Sequence, residues 1–521
     1  MFHIIFIYLF LLFFLVLINT YQIKSSKAGS DHYLHFAFIN GIKKNKHRFF
    51  KNVPSFINTA DYGYPQFYHW LLSFLSDKFL QGNFKYFGLV INITSFVAFN
   101  FFLYFIYPFL SVSVSINLFV LISGLIYIFT PFEYFSWNAK NVGLSARGFG
   151  LLFGQLFLYS IVLYLLTNNN NILIIAYCLS FVVLISSQFS YQFVLFFSVI
   201  SSFVFLNIYL FLIPFSSVLL LHLLMPTWAK HFFIKLYGHK KMYYSLLSYK
   251  FGLKQRFSIW RDFVCDFYIV MKKKGLFRGI QYIYRNPIVE VVIGFPALVF
   301  TVVLIIYSNK ITYPENTFLL FKIISIPLII FFLTSFRKTR FLGEPQRYVE
   351  FLYPIFSILP ILFGFSNFAI LLLLLSSIIL ILLELIVIKR IARNNGNGLT
   401  TPEKITVLLD EFENLPNKPE ESRIISNNFE MLKYFSSGEH KILNVNITES
   451  YTAGLHFNEV FPESYGLYSN KSLLHFTNFY NLNWFILDTK LMNENEFLEL
   501  FTNIKVKKEA EIYDYIIFSI R

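Results

Sequence analysis

Along the first 390 residues, apolar runs alternate with short polar breaks, and most runs approach the roughly 20 residues a helix needs to cross a bilayer. The pattern predicts spans near 2–19, 86–107, 110–130, 149–167, 172–187, 191–212, 214–227, 287–307, 318–335, 349–365 and 367–389. The pair flanking Pro214 is the least regular, its second member being short enough for a re-entrant segment. The first run has neither a basic flank nor a small-residue cleavage site, and it reads as a retained helix rather than a signal peptide. With eleven spans, the long segments 20–85, 131–148, 228–286, 336–348 and the tail all fall on one face. That asymmetry points to one working face on a helical scaffold.

After residue 396 the pattern changes. A polar linker, "NNGNGLTTPEK", leads into alternating helix-like and strand-like stretches such as "SRIISNNFEMLKYF", "NWFILDT" and "DYIIFSI". About 125 residues suffice for one small folded domain. The expected fold is therefore a polytopic α-helical membrane protein of about 11 spans, residues 1–396, followed by a small soluble α/β or α+β domain, residues 397–521.

Composition agrees: 56% of residues are hydrophobic and only 14% charged. Two cysteines, Cys178 and Cys265, give no disulfide framework and no metal-ligand spacing. Charge divides along the same boundary. The tail has 11 basic and 18 acidic residues, a net −7, while residues 1–396 have 33 and 11, a net +22. Basic loops tied to a bilayer suit anionic headgroups or a phosphate-bearing lipid better than nucleic acid. No phosphate-binding loop or dinucleotide fingerprint is present.

Few carboxylates are available for chemistry. Of the 11 in residues 1–396, Glu315 falls on the bare face, Asp77 stands beside Lys78 in a solvated pattern, and Asp262 and Asp266 sit among basic residues. Glu290, Glu350 and Glu384 lie within or at the ends of spans. Asp31, Asp61, Glu133 and Glu344 remain on the working face. Asp31 opens "SDHYLHFAFI"; if that stretch is helical, Asp31 and His35 share a face one turn apart. Such a carboxylate can act as general base or metal ligand; equally, Ser30 or Asp31 can cap the helix. Downstream, "YGYPQFYHW" offers a Pro-led turn with Tyr64 and His69, residue types that also line membrane interfaces. "TPFEYFSWNAKNVGLSARGFG" contributes Glu133, Asn138, Lys140 and Arg147. "SFRKTRFLGEPQRYVEF" contributes Arg340, Glu344 and Arg347, either a phosphate clamp or a positive-charge anchor.

These clusters, in this order, resemble the type C glycosyltransferases, membrane enzymes that use polyprenyl-phosphate-linked sugars. The resemblance rests on the acid after the first helix ("SDHYLH"), the Tyr-Pro turn ("YGYPQFYHW") and the late Arg-containing loop ("GEPQRY"). It implies transfer of a sugar from such a donor to a cell-envelope glycan, lipid or protein. Asp31 would be the catalytic carboxylate, Glu133 the second acid, and Arg347 with Arg340 the holder of the lipid phosphate. His35, Tyr64, His69 and Glu344 would line the substrate site. A divalent metal, Mg or Mn, would be held by Asp31 and Glu133. The chain departs from the family pattern in having no paired acids in the first loop, Gln66 where a second Pro is expected, and no Trp-Trp-Asp-Tyr-Gly signature in the tail.

The resemblance also implies a multi-pass plasma (inner) membrane protein whose active face and tail are extracytoplasmic, although the basic residues beside the spans favour a cytoplasmic face. Two other readings stay open: a lipid-linked glycan flippase or transporter, and a non-enzymatic membrane subunit.

Overall fold

The computed structural model describes all residues except 1, 26–30, 51–52, 58–63, 136–143, 243–260, 277–278, 280–285, 308–314, 337–338, 340–341, 395–400, 417–420, 437–439, 444–452 and 463–467. The chain divides into two compact units. One comprises Met1–Lys27, Asn83–Pro226 and Gln255–Ala392; the other comprises Ala28–Gly82, Thr227–Lys254 and Arg393–Arg521. The tail therefore shares a unit with most of the first long loop instead of standing alone.

The first unit is helical. Among the described residues five helices are long and apolar enough to span a bilayer: Phe6–Ile23, Asp77–Phe109, Ala146–Thr167, Asn316–Thr334 and Asn367–Ile386. The chain is an integral membrane protein. Four shorter apolar helices, Ile116–Ile128, Asn170–Ser186, Gln188–Val204 and Ile208–Leu224, occupy positions where full spans were expected. At 1.5 Å per residue a 17-residue helix is about 25 Å long, somewhat under the hydrocarbon thickness.

The helix ends follow the sequence. Ser115, Ser145, Asn169, Ser187, Asn207 and Asn286 each accept a backbone N–H of the following first turn, satisfying donors that would otherwise be orphaned.

Four expected spans are corrected. The break near Pro214 falls instead at 205–207, where Leu206 takes φ 50°; Pro214 lies inside the Ile208–Leu224 helix, and its carbonyl accepts the Tyr191 hydroxyl at 2.7 Å. Segment 287–307 is two helices, Pro287–Gly294 and Pro296–Tyr307, divided where Pro296 cannot donate an N–H. Segment 349–365 is a series of short helical turns containing Pro354 and Pro360, buried over most of its length.

In the second unit, strands β1 (Arg423–Ser426), β2 (Lys441–Ile442), β3 (Trp484–Asp488), β4 (Val506–Ile512) and β5 (Tyr515–Ile520) form one sheet of order β2-β1-β3-β5-β4. β1 is parallel to β2 and β3, while β5 is antiparallel to β3 and β4. This is the mixed α/β architecture expected of the tail. β3 and β5 are buried at every residue (WFILD and YIIFSI), as befits central strands covered on both faces. The first loop extends this core: Phe56 bridges in parallel to Ile442, and Ala37, Phe38, Ile42, Phe50 and Val53 share one cluster with the sheet.

Candidate functional site

In the membrane unit, charge collects around the turns at 344–350. Gly343, at φ 110°, holds a conformation that favours glycine and aims the chain into this turn. Glu344 forms an ion pair with Arg347. Arg347 lies three residues from both Glu344 and Glu350, but Glu350 is engaged by Arg147, Nη2 to Oε2 at 3.0 Å, across 203 residues of sequence. Arg147 feels the fields of Arg347 and Glu344 as well, so the four side chains form one electrostatic group.

Exposure within the group is uneven. The carboxylates keep 5% and 2% of their side-chain surface, and the arginines 25% and 20%. Each arginine is thus anchored by a buried carboxylate, with part of its side chain left exposed. Arg347 also lies over the Phe189 ring, 5.5 Å from its centroid. Close packing fixes the arrangement: Phe351 stacks on Phe193 at 3.9 Å and fills the space a side chain on Gly154 would need.

Glu133 occupies the buried 3-10 turn Pro131–Tyr134. Its charge acts on Tyr127, Tyr159 and Tyr353, and the Tyr127 and Tyr353 hydroxyls are 2.6 Å apart.

In the second unit the Tyr-Pro turn and the first loop helix, Asp31–Lys44, come together. His35 Nδ1 and His69 Nε2 are 2.8 Å apart, with rings stacked at 5.0 Å. The Tyr64 ring lies 6.1 Å from His35 and 5.7 Å from His69. Burial and the neighbouring His35 hold His69 well below the ordinary histidine range, and it is neutral at pH 7. Asp31 is the first residue of its helix, one turn before His35. Gln66 serves the fold: its side chain donates to the Phe50 carbonyl at 2.8 Å and accepts the Phe50 N–H at 3.0 Å, closing the loop between them. Asp77 pairs with Lys43 at 2.5 Å, not with its neighbour Lys78.

Of the expected site residues, then, His35, Tyr64 and His69 are assembled, and Glu344 and Arg347 are paired. Glu133 is buried among tyrosines. Arg340, Asn138, Lys140 and Asp61 lie outside the described residues. Among the described residues no three His, Cys, Asp or Glu side chains form a group able to hold a metal. Sequence reasoning named Arg147 and Glu350 separately and missed their pairing. The one available signal was the rarity of acids in spans, since a carboxylate there calls for a partner.

Fold and sites together define a polytopic helical membrane protein with a mixed α/β unit. No family model matches the chain, and no curated protein is similar to it. Among solved structures the chain is similar to ArnT from Cupriavidus metallidurans, crystallised bound to undecaprenyl phosphate, with 10% identity, a TM-score of 0.42 and 97% of each chain covered.

Proposed function

We propose that this protein is a membrane glycosyltransferase of the type C class, drawing on a polyprenyl-phosphate-linked sugar. The observation that carries this reading is the pair of arginines, Arg147 and Arg347, each braced by a buried carboxylate and each with its side chain partly exposed. When the bond between an anomeric carbon and a phosphate oxygen breaks, negative charge grows on the departing phosphate. Fixed donors aimed at that charge lower the barrier without reorganising during the reaction. Arginine offers planar bidentate donors suited to phosphate. Glu344 and Glu350 act by positioning the two forks.

The roles carried by sequence resemblance belong to the same proposal. Asp31 is the general base toward the acceptor, Glu133 the supporting acid, and Arg340 a further phosphate contact; His35, Tyr64 and His69 line the substrate site. A divalent ion, Mg or Mn, would draw on Asp31 and Glu133. Among the described residues no three-ligand group accompanies them. The acceptor is a cell-envelope glycan, lipid or protein, and the working face is extracytoplasmic.

Native mass spectrometry of the purified protein tests the reading without a guess at the acceptor. A polyprenyl phosphate or its glycosylated form that co-purifies with wild type and is lost in Arg347→Ala is the expected result. Ordinary phospholipids alone in both samples would overturn the phosphate clamp.

A further inference from the structure

The sheet of the second unit has a feature that the membrane chemistry does not use. From β1 the chain passes through the Phe429–Phe435 helix to β2 on one side, then returns across β1 to β3 on the other. The carboxyl ends of β1 and β3 therefore flank a topological switch point, the place where open α/β sheets bind ligands. A cavity of about 370 Å³ lies there, lined in part by Asn427, Tyr468, Asn470, Lys490, Leu491 and Met492. Its volume is at the lower end of the roughly 300–1,000 Å³ typical of small-molecule sites.

The cavity floor is rigidly wired. Asn427 follows β1; it donates to the Asp488 carbonyl at 3.0 Å and accepts the Asp488 N–H at 2.8 Å, tying the two strand ends together. The Asp488 carboxylate in turn accepts from Asn428 Nδ2 at 2.9 Å and from the Lys490 N–H at 3.1 Å. On the far wall Ser469 caps the Asn470–Phe479 helix, fixing Asn470 at the rim. Lys490 supplies an ammonium; Asp514 holds it at 2.9 Å but is shared with Lys404 at 2.7 Å, and the nearby Asp488 carboxylate completes the balance of two lysines against two acids.

The wall therefore combines the exposed Asn470 amide and the charge-balanced Lys490 ammonium with Tyr468, Leu491 and Met492. That mixture is poorly suited to an anion, which needs surplus positive charge, and to a purely apolar ligand, which would cover the Asn470 amide and the Lys490 ammonium without pairing them. It suits a sugar ring, whose hydroxyls pair with the Asn470 amide and the Lys490 ammonium while its C–H face covers aromatic and aliphatic carbon.

We propose that this crevice binds one or two sugar units of a neutral saccharide. The site stands on the geometry of the second unit alone and does not depend on the glycosyl-transfer reading.

The test uses the full chain in lipid nanodiscs and saturation-transfer NMR with glucose, N-acetylglucosamine and their β-1,4-linked disaccharides as probes. The expected result is transfer to the ring protons of at least one probe, weakened tenfold or more by Leu491→Trp, which fills the crevice from a partly exposed position. Asn470→Ala, at an exposed rim residue, should weaken it several-fold with no change in melting temperature, so the result holds even if the Trp variant misfolds. Arg347→Ala, in the other unit, should leave it unchanged. No transfer from any probe, or transfer that survives both crevice variants, would overturn the proposal. Transfer abolished by Arg347→Ala would do the same by assigning the sugar to the membrane unit.

Discussion

The two units treat charge in opposite ways. In the membrane unit Glu344 and Glu350 are almost wholly buried, and each has an arginine against it. In the second unit several ion pairs lie at the surface: Lys441 with Glu421 at 2.8 Å, and Lys508 with both Glu494 and Glu511. A desolvated carboxylate costs several kcal/mol and is tolerated only with a well-placed partner. Exposed pairs gain little, because water and salt screen them. Charge that is expensive to keep marks where function constrains the sequence; charge that is cheap marks solubility.

Breaking one partner of a buried pair should give the largest effect. Glu350→Ala leaves the Arg147 guanidinium without its anchor and should destabilise the membrane unit by about 3 kcal/mol, read as a lower melting temperature in detergent. Glu350→Gln keeps the shape and one acceptor, so it should restore much of the stability while glycosyl transfer stays depressed. If Gln restores both, Glu350 matters only for packing. Arg347→Ala comes next. Its side chain is a quarter exposed, so it should lower stability less than Glu350→Ala while weakening lipid-phosphate binding tenfold or more.

These effects show how far the sequence could be read. The long apolar runs and the change of pattern after residue 396 were legible because period and length report directly on burial. Glu344 and Arg347 were named from the sequence for the working face, while their ion pair was supplied by the structure. Arg147 and Glu350 were not legible as a pair: local spacing offers Arg347 to both Glu344 and Glu350, and only tertiary structure brings a residue 203 positions away to settle the choice. The broken segments at 287–307 and 349–365 were misread because apolar content outweighed Pro296, Pro354 and Pro360 in a hydropathy pattern. Gln66 stood out only as a departure from the family turn. Its bidentate grip on Phe50 involves a backbone group, which carries no sequence signal.

In the second unit Gln66 makes its contacts within one loop, and their loss should have a smaller effect. Gln66→Ala leaves the buried N–H and carbonyl of Phe50 without their partner, a cost of about 1–3 kcal/mol, measurable as lower hydrogen-exchange protection around residues 50–66. His69 supplies a pH test. It is neutral when folded because burial lowers its proton affinity, whereas in the unfolded chain it takes up a proton near pH 6.5. The unfolded state then binds more protons, so this contribution to stability is complete above about pH 6.5 and is lost as the pH falls below it. Melting curves between pH 8 and pH 5 should show the decline in wild type and a shallower one in His69→Gln. Equal slopes would mean that His69 is protonated in the folded protein.

The smallest effect is expected where charge is most visible. Lys508 reaches Glu494 at 2.9 Å and Glu511 at 2.7 Å, and both carboxylates raise its proton affinity. It nevertheless lies on β4, the edge strand of the sheet, and its side chain is well exposed. Water replaces either partner there at little cost, and the long side chain regains its rotamer freedom when released. Lys508→Ala should therefore leave the melting temperature unchanged at physiological salt. The substitution should act on association instead, because a lysine on an exposed edge discourages pairing with another strand. Light scattering on heating should begin earlier for the variant than for wild type. A lowered melting temperature with unchanged scattering would show that even the surface pairs of this unit contribute to its stability, and the contrast with the buried arginine pairs would then be one of degree.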